Sequence, residues 1–174
     1  MGKLAEFIRT EGEHLRAEAG QRKKAVEEWR TAIGRLFDHL GQWLKEADGG
    51  TGLLRIERMP LANLAEGRLG TYTAECFDVG LGSNSVLISP RARYVIARIR
   101  PPGEEIRRAD GLVEIKSWEK GIASYSLYRL AGANPETDRW FIRNFALWNA
   151  DTENDNVDVL DRDRFEAAIL QMLR

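Results

Sequence analysis

VEEWRTAIGRLFDHLGQWL, residues 26–44, returns an apolar residue at every third or fourth position. Val26, Trp29, Ile33, Leu36, Leu40 and Trp43 follow the a/d spacing of a heptad, which places them along one side of an α-helix. Phe37 and Leu44 widen that side beyond the narrow seam of a two-stranded coiled coil. A face of this width suits a helix bundle or docking onto a sheet.

Working outward, the whole of residues 1–48 reads as helix, without proline and rich in Ala, Glu, Lys, Arg and Leu. Unbroken, it would run about 70 Å at 1.5 Å per residue, so it must protrude, dimerise or fold back. Gly20, followed by Gln21, Arg22, Lys23 and Lys24, is the expected break, because glycine readily takes the left-handed conformation that ends helices. A helical hairpin is therefore expected, with one long amphipathic helix as the other form. Gly34 and Gly41 share the heptad position of Gly20, and each costs about 1 kcal/mol relative to alanine.

Helical periodicity stops at Asp48-Gly49-Gly50-Thr51-Gly52, and β-branched and aromatic residues become commoner beyond it. Residues 53–59, 68–79, 85–88, 94–100, 112–118, 124–130 and 140–148 read as strands separated by turn-like stretches, Ser89-Pro90 among them. Val95, Ala97 and Ile99 can face inward while Arg98 and Arg100 face out. Short strands without intervening helical patterns predict an antiparallel meander, sandwich or partly closed barrel. Phe165, Ile169, Met172 and Leu173 form one face of a closing helix. Either Asp163 with Glu166 forms a capping box at its start, or Asp161 is the cap and Leu160 with Phe165 the hydrophobic staple. The class is α+β, with a helical region over 1–48 and a β-rich region with a C-terminal helix over 53–174.

Composition sets bounds on function. A chain of 174 residues with 43% hydrophobic and 30% charged residues can bury one core without disulfides. One cysteine, Cys76, cannot form an internal bridge, and charges interrupt every apolar run, so the expected home is the cytoplasm and no membrane partner is expected. The net charge of -1 hides two blocks: residues 91–129 carry nine Lys/Arg against five Asp/Glu, and residues 131–174 carry five against nine. Such blocks either neutralise each other across a sheet or offer a basic face to an anionic partner.

Among motifs, Glu114-Ile115-Lys116 has the form E-x-K on a strand, so both charged side chains point the same way. The local string GLVEIKSW, residues 111–118, resembles that of metal-dependent nucleases of the PD-(D/E)xK class, and Asp78 is the residue available as the preceding acidic ligand. That resemblance implies a divalent ion on Asp78 and Glu114, with Lys116 stabilising charge near an attacking water. Residues 124–130, where the class wants a helix, alternate like another strand.

Asp151, Glu153 and Asp155 alternate like the first ligands of a calcium loop, but Asn156 replaces its glycine and Arg162 its glutamate. His14 and His39 both lie in the helical region, away from Cys76, so neither a nucleophilic pair nor a zinc site is expected. Gly80-Leu81-Gly82 lacks the third glycine of a dinucleotide fingerprint and reads as a hairpin loop. Nothing here calls for a cofactor. Arg91, Arg93, Arg98, Arg100, Arg107 and Arg108 make up an arginine-rich block that could bind an anionic ligand or nucleic acid.

The features point to surfaces rather than to a reactive centre. The leading expectation is a non-enzymatic binding or adaptor protein in which Trp29, Ile33, Leu36, Phe37, Leu40 and Trp43 join a protein partner or a second copy. Equally, those residues can cover the sheet within a monomer. The nuclease and the anion-binding module are the alternatives.

Overall fold

A computed structural model describes residues 2–118, 123–144 and 155–174. The N-terminal region is one helix, α1 (Lys3–Asp48). Of the two expected forms it is the long one, and Gly20 does not interrupt it. Glycine's cost of about 1 kcal/mol is local, and the good helix formers on both sides outweigh it. The helix ends instead at Gly49, in the left-handed conformation with φ 59°. There the Asp48 carboxylate accepts from the Thr51 hydroxyl at 2.7 Å and from the backbone N–H groups of Gly52 and Leu54 at 2.7 and 3.0 Å, which reverses the chain into the sheet.

The strands are β1 (Leu54–Glu66), β2 (Gly70–Leu81), β3 (Asn84–Ala92), β4 (Arg98–Ile99), β5 (Arg107–Arg108), β6 (Gly111–Ser117), β7 (Ala123–Leu130), β8 (Arg139–Asn144) and β9 (Asp158–Val159). Seven form an open antiparallel sheet in the order β1-β2-β3-β6-β7-β8-β9, and β4 and β5 form a separate ribbon. Helix α2 (Arg162–Leu173) closes the chain.

Two prolines that stand just beyond the expected strand ends at residues 59 and 88 lie inside strands. Pro60 sits in β1, an edge strand, at a register shift between Met59 and Ala62. Ser89-Pro90 is part of β3 and not a turn, with a second shift between Pro90 and Ala92. Residues 145–148 of the last expected strand lie outside the described residues, as do Asp151 and Glu153.

One face of the sheet and α1 share a continuous core: Trp29, Ile33, Leu36, Phe37, Leu40 and Leu44 pack on Phe77, Val79, Ile88, Val113, Ile115 and Leu127. Each such side chain contributes about 1.5–3 kcal/mol on burial. Arg30 donates to the Thr73 carbonyl at 2.8 Å, and Arg58 donates to the Gly34 carbonyl at 2.9 Å and the Asp38 carboxylate at 2.7 Å, fixing α1 to β1 and β2. A smaller cluster on the opposite face joins Ile99, Tyr128, Leu130, Phe141 and Val157, with Val95 and Ala97 turned toward it as their alternation predicts. In α2, Asp161 is the cap, accepting from the Arg164 N–H at 2.9 Å, and the Leu160–Phe165 alternative is the one realised.

Candidate interaction surface

The heptad residues expected to meet a partner are occupied by the protein's own sheet. Trp29, Ile33, Leu36, Phe37 and Leu40 are buried, and Trp43 is half-buried against Phe165 with ring centroids 6.0 Å apart. Covering the sheet within one chain, the second of the two expectations, is where they are found, so the amphipathic face is closed over this length.

Asp78, Glu114 and Lys116 do share a face, the one turned away from α1. Asp78 stands opposite Leu87 and Leu87 opposite Lys116, while Glu114 pairs with Ser89. The buried Leu87 therefore fills the place between Asp78 and Lys116. Both Asp78 oxygens are taken, by Arg55 at 2.9 Å and by the Trp118 indole N–H at 2.8 Å, and Glu114 is paired with Arg91 at 3.2 Å. Among the described residues no group of three or more His, Cys, Asp or Glu side chains is arranged to hold a metal ion. The strand geometry supplies the shared face, but the carboxylates on it serve arginines.

The arginine-rich block is likewise spent largely on internal pairs, although Arg98, Arg107 and Arg108 line one open hollow with Ile96 and Ile106 on the β4–β5 ribbon. Arg91 meets Glu114, Arg93 meets Glu28 at 3.0 Å, Arg98 meets Asp155 at 3.7 Å, and Arg107 meets Glu104 at 3.9 Å. Arg108 donates to the Val95 carbonyl at 2.6 Å. Arg98 and Arg100 are exposed on and beside β4.

A buried ionic network was not legible in the sequence. Arg129 of β7 is 1% exposed, donates to Asp138 at 2.7 Å and to Glu28 of α1, and lies 5.9 Å from the Trp29 ring. Burial pushes the Glu28 carboxyl up, but hydrogen bonding and charge from Arg129 and Arg93 together hold it below its ordinary value. This network docks α1 onto the sheet, and within it Arg129 Nη1 is buried without a hydrogen-bond partner among the described residues.

What remains uncovered is the first half of α1. No residue from 2 to 25 is buried, and the first buried one is Val26. On this projecting arm Leu4, Phe7, Ile8 and Leu15 are 71%, 62%, 60% and 56% exposed. At 3.6 residues per turn Leu4, Ile8 and Leu15 fall within about 40° of one another, with Phe7 at their margin. They also fall in line with Val26, Ile33 and Leu40, so the stripe the sheet covers continues along the arm without a cover. The signal was present in the spacing of residues 4, 8 and 15. It was masked by Glu11 and Glu18 in the same stripe, which break the apolar run.

Beneath the base of the arm is a hollow of about 390 Å³ bounded by Glu18, Arg22 and Ala25 on the helix and by Arg68, Leu69 and Tyr94 on the body. A second, apolar groove of about 610 Å³ lies at the far end of α1, where Leu53 and Leu170 are 70% and 52% exposed beside Leu44. Ile8 and Leu44 are 36 residues apart on one helix, about 54 Å, so the arm of a chain does not reach its own groove. No helix among the described residues is long and apolar enough to cross a membrane. No protein family, curated protein or solved structure matches this chain.

Proposed function

We propose that this is a non-enzymatic binding protein, an adaptor whose sheet and α2 form a rigid base and whose α1 arm docks on a protein surface. The observation that carries this reading is the uncovered stripe of Leu4, Phe7, Ile8 and Leu15, in phase with the part of α1 the sheet buries. A lone helix of this length gains little from propensity in water, and most helical stability comes from packing an apolar face. Docking is the same physics that holds the other half of the helix to the sheet. Cys76, a single free and buried thiol, suits a reducing compartment, and we place the protein in the cytoplasm.

The test is a photoreactive residue at position 7 in the full chain, irradiated as pure protein and in total cell protein. A protein adduct that disappears in Ile8→Asp supports the reading. Absence of an adduct in both settings overturns it.

A further inference from the structure

We infer that the arm's occupant is the arm of a second copy, running antiparallel. This rests on the reading of α1 as a docking arm and names its partner. The first argument is steric. The uncovered stripe points to the same side of α1 as the body, which begins at Val26. A partner helix running parallel would strike that body. A helix running the other way ends where the body begins, and it continues on the arm the layer that the sheet provides further along.

The second argument is self-complementarity. A twofold pairing in which position n meets position 23 − n sets Ile8 against Leu15 of the second copy and Leu4 against Ala19, each contact occurring twice. Glu11 then lies over Gly12, which has nothing within 4 Å of the place a Cβ would occupy, and that open space lets each Glu11 carboxylate turn to solvent, away from the like charge on the second copy. In the same register Lys3 comes beside Glu18 of the other arm, on the flank that an antiparallel pair brings together. Among the described residues Lys3 has no ion-pair partner, and Glu18 has only the loose, exposed pairs to His14 at 3.6 Å and Arg22 at 3.7 Å.

The third argument is fit at the ends. The pairing brings residues 2–4 of one copy to residues 19–21 of the other, at the mouth of the hollow between Ala25, Leu69 and Tyr94. Each tip thus has a seat on the opposite body, where Leu69 and Tyr94 lie among the charged side chains of Glu18, Arg22 and Arg68. The overlap of residues 4–19 is about 24 Å long. One register accounts for the stripe, the ion pairs and the hollow together.

The experiment uses the full chain with one added cysteine in each variant, since Cys76 is buried and does not compete. Ile8→Cys and Leu15→Cys chains are prepared separately, then mixed and oxidised. Rapid crosslinking in the mixture, with little in either chain alone, is expected, because like positions in this pairing stand about 10 Å apart along the axis. Lys3→Glu and Glu18→Lys should each weaken self-association by about three- to tenfold, and the two together in one chain should restore it. Self-crosslinking of Ile8→Cys alone, which marks a parallel pair, would overturn the inference. So would crosslinking of Ile8→Cys to Leu170→Cys, which marks docking in the far groove, or a chain that stays monomeric throughout. A photo-adduct from position 7 to another protein, with no self-association, defeats the second copy while leaving the docking arm intact.

Discussion

Ile8 and Ile33 stand on the same side of one helix, about seven turns apart, and Ile33 is sealed against the sheet while Ile8 is 60% exposed. The two positions obey the same periodicity and differ only in what lies opposite. Opposite Ile33 is the seven-stranded sheet; opposite Ile8 the described residues supply nothing.

That difference separates fold from association by single substitutions. Leu36→Asp places a charge in the core against the sheet and should cost at least about 3 kcal/mol, enough to lose the folded state or most of its stability. Ile8→Asp should leave the monomer's unfolding free energy within about 0.5 kcal/mol of wild type at low concentration, where the arm is unpaired. Urea titration followed by tryptophan fluorescence measures both. Equal losses would mean that the arm is packed on the body after all.

The network around Arg129 should be costly to break. Arg129→Ala leaves Asp138, whose side chain is 3% exposed, as an unpaired buried carboxylate and should destabilise by about 3–5 kcal/mol. Replacing both as Arg129→Met with Asp138→Leu should recover most of that loss, since a buried pair exchanged for well-packed apolar groups is often neutral. A double variant no more stable than Arg129→Ala would show that the cost lies elsewhere.

Two glycine substitutions should act with opposite signs. A Cβ at Gly111 would meet the Trp29 ring at 2.6 Å, and that ring is held between Arg129 and Trp140, so Gly111→Ala should destabilise by about 1–3 kcal/mol. At Gly20 nothing lies within 4 Å, and alanine should strengthen the arm by up to about 1 kcal/mol of helix propensity. Far-ultraviolet circular dichroism should record a gain in helix for Gly20→Ala and a lower melting temperature for Gly111→Ala.

Glu28 gives stability a pH dependence of known sign. Its carboxyl is held below the ordinary 4.5 in the fold, so the unfolded chain takes up its proton first as pH falls. The contribution is complete above 4.5 and is lost as pH drops through the lower folded value. The difference in urea midpoint between wild type and Glu28→Gln should therefore be widest near neutral pH and close in acid. A difference that grew in acid would contradict the Arg129–Glu28 assignment.

The α+β class and the helical character of residues 1–48 were legible because Val26 through Trp43 repeat at helical steps and because Asp48 to Gly52 end that pattern abruptly. The hairpin favoured at Gly20 is not formed, since one glycine's local cost does not stop a helix of good formers. The ends of β1 and β3 were not legible, since Pro60 and Pro90 look like terminators until a register shift is seen to accommodate them. That Asp78 and Lys116 lie in one row depends on β3 standing between their strands, a relation no local spacing carries. Which heptads are covered was equally beyond the sequence. The residues with the strongest pattern, Trp29 to Trp43, are consumed by the sheet, and the weaker pattern from Leu4 to Leu15 is the one left open.

Hydrogen exchange at two protein concentrations tests the pairing of two arms most directly. If arms pair, amides of residues 4–19 exchange quickly in dilute protein and become protected when it is concentrated, together with those of Leu69 and Tyr94 at the hollow, while residues 26–44 stay protected throughout. Arm amides that exchange equally fast at both concentrations, or that are already protected in dilute protein, would contradict it.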